Sequence, residues 1–433
     1  MMIRPWLPTD SQALFAEVER DLDRSTAAAE VGRLVDRQDT TSAQSINLNP
    51  AANVMNPRAE ALLARGLSTR PALGAPGAKH EAGVEALERI EAVAVAMAQR
   101  IFGARYAEVR LSSGTIANLC AYLALTRPGD AIIVPPPQIG GHASHLAAGA
   151  AGLRGLRILH APVDGERYAI DLAGLEALAS AVRPTLIVAG GSLNLFLPPI
   201  AELRAIADSF GALLLYDAAH VAGLVAGGAW SRPLAEGAHV MTLSTYKSLG
   251  GPAGGLVLTD DPSIAERIER VAFPGLSANS DIGRTAALAV ALGDSHLHGH
   301  DYAAAMLSTA GALARSVAGR GVPVFAMQYG LTCSHQFAID GTTPAGAERA
   351  VRRLAGACLF SSSIALPGDS PGQPRGIRMG TPEVARRGMT ADDMPELANL
   401  IADAFLSAER PETIAPRTMA MRQRFNKIGF AVP

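Results

Sequence analysis

Three residues able to do chemistry follow two short apolar runs in the middle of the chain. Asp217 and His220 come directly after the run 212–215, and Lys247 follows the run 239–243. Such runs are typical of buried parallel strands, and ligands of open α/β sheets bind beyond the carboxyl ends of those strands. We therefore expect a carboxylate, an imidazole and an amine at one edge of a sheet.

These groups match the needs of one cofactor. A carboxylate facing a pyridine nitrogen and a lysine that forms an imine with an aldehyde are what pyridoxal 5'-phosphate (PLP) requires of a protein. We interpret Lys247 as the Schiff-base lysine, Asp217 as the partner of the ring nitrogen and His220 as a partner of the ring oxygen. The alternatives are a lysine near a strand end by chance, an aspartate that caps a helix and a surface histidine. The glycine pairs 250–251 and 254–255 beside the lysine favour the cofactor.

A run of small residues could hold the phosphate. Residues 112–115 follow a predicted strand and begin a predicted helix, and hydroxyl residues with a glycine at a helix N-terminus bind anions. Ordinary helix capping is the alternative. From this run we assign Ser113, Gly114 and Thr115 to the cofactor. We also assign to it two residues beside the lysine, Ser244 and Tyr246.

Two further side chains complete the predicted site. His142, in the run 140–145, is our candidate for stacking on the cofactor ring and for catalysis. A metal site is the rival interpretation of its histidine pair, but no third ligand lies nearby, so we predict no metal. Arg378 is our candidate for binding a substrate carboxylate, since its planar fork suits that group. A surface salt bridge is the alternative.

The elements that must position these residues alternate along the chain. Apolar strands are predicted at 131–134, 155–159, 185–188, 212–215, 240–243 and 255–258, with helices between several of them. This alternation predicts an α/β fold with a mostly parallel sheet. We predict a helical arm over residues 1–45, a large PLP-binding α/β domain over 46–300 and a smaller α+β domain over 301–433. The Asn-, Pro- and Gly-rich stretch 46–83 is expected to be irregular and functional.

Composition narrows the class of protein. The 433 residues are 48% hydrophobic and 18% charged, which allows a large buried core or an extensive subunit interface. A net charge of −2 without long basic runs argues against nucleic acid and anionic membranes as partners. No stretch is apolar enough for a membrane span or a secretory signal. Cys120, Cys333 and Cys358 are far apart, which favours a reducing compartment, and we expect a cytoplasmic protein.

The same motifs occur, in this order, in a known family. The chain resembles serine hydroxymethyltransferase, a fold-type I PLP enzyme, from about residue 45 to residue 405; the matching segments are 112–118, 140–142, 217–225, 247 with 251–255, 273–275, 376–382 and 386–388. The resemblance implies an aspartate aminotransferase-like fold and PLP as cofactor. It also implies a homodimer, or a dimer of dimers, with active sites at the subunit interface, and it places Ser192 near the cofactor.

The chain departs from this family where the family binds folate. A tyrosine, a catalytic glutamate and a tyrosine pair of the family align with Pro71, Leu73 and residues 80–81, and 361–363 replaces an asparagine-rich run that meets the pterin. We expect His80 or Glu81 to act as the substitute acid or base. Further departures are Tyr246 for a histidine, Ala253 for an arginine and Ala278–Asn279 for a glycine pair.

Three functions remain open at this point. The first is a folate-independent PLP aldolase or transaldolase that acts on a β-hydroxy-α-amino acid such as serine, α-methylserine or threonine, with an aldehyde as the second partner. The second is a tetrahydrofolate-dependent serine hydroxymethyltransferase. The third is a PLP-binding protein without turnover, against which the full set of Lys247, Asp217, His220 and Arg378 argues. We favour the first, because carboxylate and PLP recognition are kept while folate recognition is lost.

Overall fold

The computed structural model describes residues 5–22, 25–407 and 409–432. Its helices are α1 (Thr9–Leu22), α2 (Ala27–Gln44), α3 (Pro57–Leu63), α4 (Glu85–Phe102), α5 (Gly114–Leu125), α6 (Ala150–Leu153), α7 (Leu172–Val182), α8 (Ile200–Ser209), α9 (Ala222–Ala226), α10 (Pro262–Arg270), α11 (Ile282–Ala318), α12 (Pro344–Gly356), α13 (Pro382–Arg386), α14 (Met394–Leu406) and α15 (Pro411–Gln423). Its strands are β1 (Ile46–Asn47), β2 (Tyr106–Leu111), β3 (Ala131–Val134), β4 (Arg157–His160), β5 (Val163–Asp164), β6 (Ala169–Ile170), β7 (Leu186–Gly190), β8 (Leu213–Asp217), β9 (Val240–Ser244), β10 (Gly255–Thr259), β11 (Gln336–Asp340), β12 (Leu359–Phe360), β13 (Ser362–Ile364) and β14 (Gly376–Gly380).

A central sheet carries the order β2-β10-β9-β8-β7-β3-β4. The neighbours from β9 to β4 run parallel, and only β10 pairs antiparallel, with both β9 and β2. The inner strands are buried on both faces, which explains why they are continuous apolar runs. The predicted α/β fold with a mostly parallel sheet is confirmed, and each of the six predicted strands is present to within two residues at either end.

The register of three neighbouring strands determines where the site forms. Gly190 at the end of β7 pairs with Asp217 at the end of β8, and Asp217 pairs with Thr242 of β9. Because the strands are parallel, their carboxyl ends lie at one edge of the sheet. The segments that follow β7, β8 and β9 therefore meet at that edge.

A second hydrophobic core lies against a small sheet of order β11-β14-β13. Phe337 on β11, with Ile377 and Met379 on β14, is buried in this core, against α12 and α14. Side chains alternate across a strand, so Arg378, between the last two, faces the other side of the sheet. That side is turned toward the central sheet, since Arg378 contacts the Ser192 carbonyl after β7.

Helix α11 connects the two cores. Met306 packs in the core of the central sheet and Leu313 in the second core. The chain therefore passes from one core to the other within one continuous helix. The domain division predicted at residue 300 falls inside this helix. Gly299 does not end this helix. A Cβ atom on Gly227 would lie 2.2 Å from the Gly299 carbonyl oxygen, so the glycines allow close contact between α11 and α9.

The stretch 46–83 is more ordered than its composition suggested. Helix α3 lies within it; Asn56 caps the helix and Pro57 occupies its first turn, both standard helix-start residues. The expectation of an irregular segment was therefore wrong for Pro57–Leu63. The arm consists of α1 and α2, and α2 packs against α15. Among the described residues, no helix combines the length and apolarity needed to cross a bilayer.

Candidate active site

A cavity lies at the carboxyl edge of the central sheet. It forms where the turns after β7, β8 and β9 meet the N-terminus of α5 and the segment after β3. The residues that line it are Ser113, Gly114, Thr115, Asn118, His142, Gly191, Ser192, Asp217, Ala219, His220, Ser244, Tyr246 and Lys247. All cofactor-binding residues predicted from the sequence are in this set.

Lys247 is held at the inner end of the cavity. Its side chain is buried, and its Nζ lies 3.0 Å from Nε2 of His220. Burial lowers the pKa of Lys247 to about 8; the Asp217 carboxylate acts to raise it and the Arg378 guanidinium to lower it. The Lys247 carbonyl accepts a hydrogen bond of 2.8 Å from Nδ2 of Asn53, which fixes the backbone of the turn. A lysine with a depressed pKa offers more neutral amine for attack on an aldehyde.

His220 is kept neutral beside this lysine. Burial lowers its pKa well below the usual range, and the charges of Lys247 and Arg378 lower it further. Its carbonyl accepts from the Ser248 hydroxyl at 2.6 Å, which ties the turn after β8 to the turn after β9. A neutral His220 accepts a hydrogen bond at Nε2 without adding positive charge to the site.

Asp217 is buried and fully engaged by hydrogen-bond donors. Its Oδ2 accepts from Nε2 of His145 at 2.9 Å and from Nδ2 of Asn118 at 3.0 Å, and its Oδ1 accepts from the Ala219 amide at 2.9 Å. Burial alone would raise the pKa of Asp217, but these donors outweigh it and hold the pKa well below the usual range. The carboxylate is therefore ionised at neutral pH and suited to face a protonated ring nitrogen.

A chain of buried groups orients the donors to Asp217. His145 is fully buried, and its Nδ1 lies 2.6 Å from the Tyr122 hydroxyl. Nε2 donates to the carboxylate, and the contact of Nδ1 with the Tyr122 hydroxyl fixes the orientation of the ring. Asn118 is fixed in turn by Thr242, whose hydroxyl donates to its Oδ1 at 2.6 Å. Our sequence prediction omitted both His145 and Asn118, although each lies within a segment that carried a predicted site residue.

His142 lies on the wall of the same cavity. Its Nδ1 is 2.8 Å from the Ser144 hydroxyl and accepts from the Ser144 amide at 3.2 Å, so the ring orientation is fixed from one side. Burial lowers the pKa of His142, which keeps the imidazole neutral. Its assignment as the stacking residue stays a prediction. Among the described residues, no group of three His, Cys, Asp or Glu side chains is arranged to hold a metal ion.

The N-terminus of α5 forms one end of the cavity and is suited to bind an anion. Ser113 caps the helix by accepting from the Ile116 amide at 3.1 Å, and the first bond within the helix begins at Ala117. The amides of Gly114 and Thr115 therefore point out of the helix without an intrahelical acceptor. A Cβ at Gly114 would lie 2.3 Å from Oγ of Ser244, so a larger residue there would displace that hydroxyl.

Arg378 is buried without an acidic partner among the residues that the structure describes. Its terminal nitrogens contact the Ser192 carbonyl and the Ser362 hydroxyl, and Nη1 lies 3.4 Å from Nε2 of His220. Burial lowers the pKa of Arg378 to about 10, so the group remains charged at neutral pH. Its position excludes the surface salt bridge that we considered. A buried guanidinium without a carboxylate partner is suited to bind an anion.

The structure does not bring His80 and Glu81 into this cavity. Glu81 accepts a hydrogen bond of 2.8 Å from the Leu73 amide of its own loop, and the His80 ring packs edge-on against Phe273, 6.3 Å between centroids. Lys79 stabilises the loop by donating to the Ala72 and Gly74 carbonyls and to Glu91. Within one chain, these two predicted acid–base candidates are therefore separate from Lys247.

These residues fit PLP. The α5 N-terminus offers uncommitted amides for a phosphate, Asp217 is an ionised carboxylate, and Lys247 presents an amine of depressed pKa. Tyr246 lies at the mouth of the cavity, where Lys247 Nζ is 5.8 Å from the centre of its ring. The glycine at position 114 keeps the phosphate end open, since any larger side chain would meet Ser244.

Comparison with known proteins agrees with this geometry. The family model of serine hydroxymethyltransferase matches residues 25–401. An α-methylserine aldolase from Variovorax paradoxus is 51% identical over 99% of this chain and 98% of its own length, and a serine hydroxymethyltransferase from Methanopyrus kandleri is 36% identical over 92% and 94%. A solved L-threonine transaldolase from Pseudomonas fluorescens shares the fold, with a TM-score of 0.87 at 23% identity over 97% and 95% of the two chains. The predicted resemblance, fold type and cofactor are confirmed. The chain belongs to the serine hydroxymethyltransferase family of PLP-dependent enzymes.

Proposed function

We propose that this enzyme is a folate-independent aldolase that cleaves α-methylserine to alanine and formaldehyde and catalyses the reverse addition. The observation that carries the proposal is the 51% identity to an α-methylserine aldolase along 99% of the chain. The site geometry supports it, because the residues for PLP and for a carboxylate are all present. The predicted departures from the folate-binding pattern point the same way.

Each residue has a defined part in this reaction. When bound, PLP supplies an aldehyde and an electron-withdrawing ring that weakens the bonds at the amino acid's α-carbon. Arg378 binds the carboxylate and so orients the bond between the α- and β-carbons for cleavage. Asp217 keeps the ring nitrogen protonated, and the donors of His145 and Asn118 keep Asp217 ionised. Because Nδ1 of the neutral His142 ring accepts from Ser144, its Nε2 carries a proton and can donate a hydrogen bond to the ligands, while Lys247 can return a proton to the α-carbon. The proton of the β-hydroxyl would pass to the loop base proposed below, His80 or Glu81.

The proposed cleavage of α-methylserine gives folate no part. α-Methylserine has no hydrogen on its α-carbon, so the productive step is cleavage of the bond to the hydroxymethyl carbon, which releases free formaldehyde. Leu73 stands where the family has a glutamate, and an alkyl group neither moves a proton nor accepts a hydrogen bond. Burying a polar edge of folate against it would cost about 1–3 kcal/mol for each unpaired group.

The test is a substrate screen with and without tetrahydrofolate. Purified holoenzyme is incubated with α-methylserine, serine or threonine, and amino-acid product and aldehyde are measured separately. We expect alanine and formaldehyde in equal amounts from α-methylserine, at a rate that tetrahydrofolate does not change. Strong stimulation of serine cleavage by tetrahydrofolate would overturn this proposal and favour a hydroxymethyltransferase, the activity named for the relative that is 36% identical.

We also propose a homodimer, or a dimer of dimers, in which the loop 71–83 serves the site of the neighbouring subunit. Two contacts support this: the loop lies away from Lys247 of its own chain, and the Ala72 amide donates to Asn279, beside the segment 273–275. In the family, the glycine pair that aligns with Ala278–Asn279 reaches a neighbour's phosphate, so the resemblance implies that this part of the chain lies near the subunit interface. His80 or Glu81 would then act as acid or base across the interface.

Mixed dimers test this arrangement. Lys247→Ala and Glu81→Gln are each prepared, and both must be impaired alone. If the loop serves the neighbour, an equal mixture should recover about a quarter of the wild-type activity, because half of the dimers then hold one intact site. If each chain builds its own site, the mixture should stay inactive.

A reducing, cytoplasmic location is part of the same proposal. Cys120, Cys333 and Cys358 are free thiols in the structure, which supports a reducing compartment. Small amino acids and aldehydes are the expected partners, and no nucleic-acid or membrane partner is proposed. Fractionation of the source cells, with the enzyme activity followed in each fraction, tests the location.

A further inference from the structure

The guanidinium of Arg378 is oriented by a hydroxyl from the neighbouring strand. Ser362 of β13 pairs directly with Arg378 of β14, so both side chains lie on the same face of the small sheet. The Ser362 Oγ lies 3.3 Å from Nε and 3.2 Å from Nη2 of the arginine and accepts from both. It therefore covers the side of the fork formed by Nε and Nη2.

That contact determines which part of the fork stays available. Nη1 donates to the Ser192 carbonyl, which uses one of its two N–H groups, and Ser362 uses one N–H of Nη2. A guanidinium has five N–H groups, so one remains on Nη2, and the second on Nη1 meets only a contact of 3.4 Å to Nε2 of His220, a nitrogen that Lys247 already approaches at 3.0 Å. The end of the guanidinium formed by Nη1 and Nη2 is thus left for a carboxylate. A bidentate contact at this end needs the present orientation of the guanidinium plane.

The Ser362 hydroxyl is itself fixed by a second residue. It donates to Oδ1 of Asn49 at 3.3 Å, and that oxygen also accepts from the Ala51 amide at 3.0 Å. The hydroxyl therefore accepts two hydrogen bonds and donates one, which leaves a single orientation. Asn49 belongs to the same segment as Asn53, whose amide holds the Lys247 carbonyl.

We propose that Ser362 and Asn49 form a positioning relay that holds Arg378 with its Nη1–Nη2 end toward the substrate carboxylate. The inference rests on the proposed role of Arg378 as the carboxylate site. Both relay residues act through the arginine and touch neither substrate nor cofactor. By our alignment, Ser362 lies in the run that replaces the family's pterin-binding asparagines. A residue that contacts folate in the family is thus replaced here by one that would support amino-acid binding.

The experiment measures ligand binding to the holoenzyme rather than turnover. Alanine and alaninamide, which lacks the carboxylate, are titrated into each protein, and the dissociation constant is taken from the change in PLP absorbance. The variants are Ser362→Ala, Ser362→Thr, Asn49→Ala and Arg378→Lys. Ser363→Ala is the matched control, because Ser363 is exposed and pairs with Ile377, on the other face of the sheet.

We expect Ser362→Ala to weaken alanine binding about five- to tenfold and to leave alaninamide binding unchanged. A tenfold loss equals about 1.4 kcal/mol, below the range for a hydrogen bond to a charged group, because distances of 3.2 and 3.3 Å are long for such bonds. Ser362→Thr keeps the hydroxyl and should stay within about twofold of wild type. Asn49→Ala should weaken alanine binding by a smaller factor, and Ser362→Ala should add little to Arg378→Lys.

The outcomes separate the relay from the function on which it rests. If Arg378→Lys weakens alanine binding but Ser362→Ala behaves like Ser363→Ala, the relay is wrong and the carboxylate site stands. Equal weakening of alanine and alaninamide by Ser362→Ala would also overturn the relay, since it would show a general structural defect. If Arg378→Lys leaves alanine binding unchanged, both the relay and the carboxylate assignment fail, whereas the aldolase reaction is judged separately by release of formaldehyde.

Discussion

Burial of the Lys247 amine predicts a specific pH dependence for cofactor loading. Burial lowers the pKa of Lys247 from an ordinary value of 10.5 to about 8, with Asp217 opposing the shift and Arg378 adding to it. Only the neutral amine attacks an aldehyde. At pH 7 about a tenth of the amine is then neutral, against roughly one in 3,000 for an unperturbed lysine, so the expected gain in reactivity is about 300-fold.

Reconstitution of the PLP-free protein measures this dependence. The rate of covalent PLP attachment, followed by absorbance, should rise about tenfold per pH unit below about pH 8 and level off above it. The sign follows from the lowered pKa: raising the pH through about 8 completes the conversion of Lys247 to its neutral form. Pyridoxal, which lacks the phosphate, is the control, because an inflection common to both aldehydes cannot come from phosphate ionisation.

A second control uses the neighbouring carboxylate. Asp217→Asn removes a negative charge that raises the pKa of Lys247, so the inflection should move to lower pH in that variant. A wild-type rate that keeps rising as far as about pH 10 would refute the reasoning, since it would show that Lys247 titrates like a solvated lysine.

Three substitutions test the remaining roles. Lys247→Ala should keep the fold, by circular dichroism, but lose the borohydride-reducible link to PLP and nearly all turnover; a pyridoxyl label mapped to another lysine would contradict this. His145→Gln should lower kcat on the order of ten- to a hundredfold, because a hydrogen bond to an ionised group contributes about 1.5–3 kcal/mol, and unchanged kinetics would assign His145 a packing role. Arg378→Ala should raise the KM for the amino acid on the order of 30-fold or more, from a loss of about 2–5 kcal/mol; a change of only a few-fold would place the carboxylate elsewhere.

Local patterns were sufficient to predict the centre of the site. Parallel strands buried on both faces must be short apolar runs, and the residues that follow them must lie at one edge. Asp217, His220 and Lys247 could therefore be grouped from their positions after such runs. The glycine and hydroxyl residues at 113–115 were predictable for the same reason, since a helix N-terminus after a strand binds anions whatever the distant chain does.

The parts that were missed depend on contacts that no local pattern records. His142 and His145 lie three residues apart, and a single turn at Ala143–His145 sends one ring to the cavity wall and the other to Asp217. The contact between Asn49 and Ser362 joins residues 313 positions apart. Likewise, the domain division predicted at residue 300 lies within α11, where Gly299 meets Gly227 of the segment after α9, and only the contact in space shows that packing.

The charges of the site are arranged so that its ligands supply the missing partners. Asp217 is held by His145, Asn118 and a backbone amide, and Arg378 only by neutral acceptors, among the residues that the structure describes, while the α5 N-terminus carries uncommitted amides. Buried charges of this kind are costly unless a counter-charge arrives. A ligand pair with one cationic ring and two anionic groups, a phosphate and a carboxylate, satisfies all three positions at once. PLP with an amino acid has that distribution of charge, and an amine without a carboxylate would leave Arg378 buried and unpaired. If Arg378 binds the carboxylate as we propose, selectivity for amino acids follows from burial of the arginine as much as from its contacts.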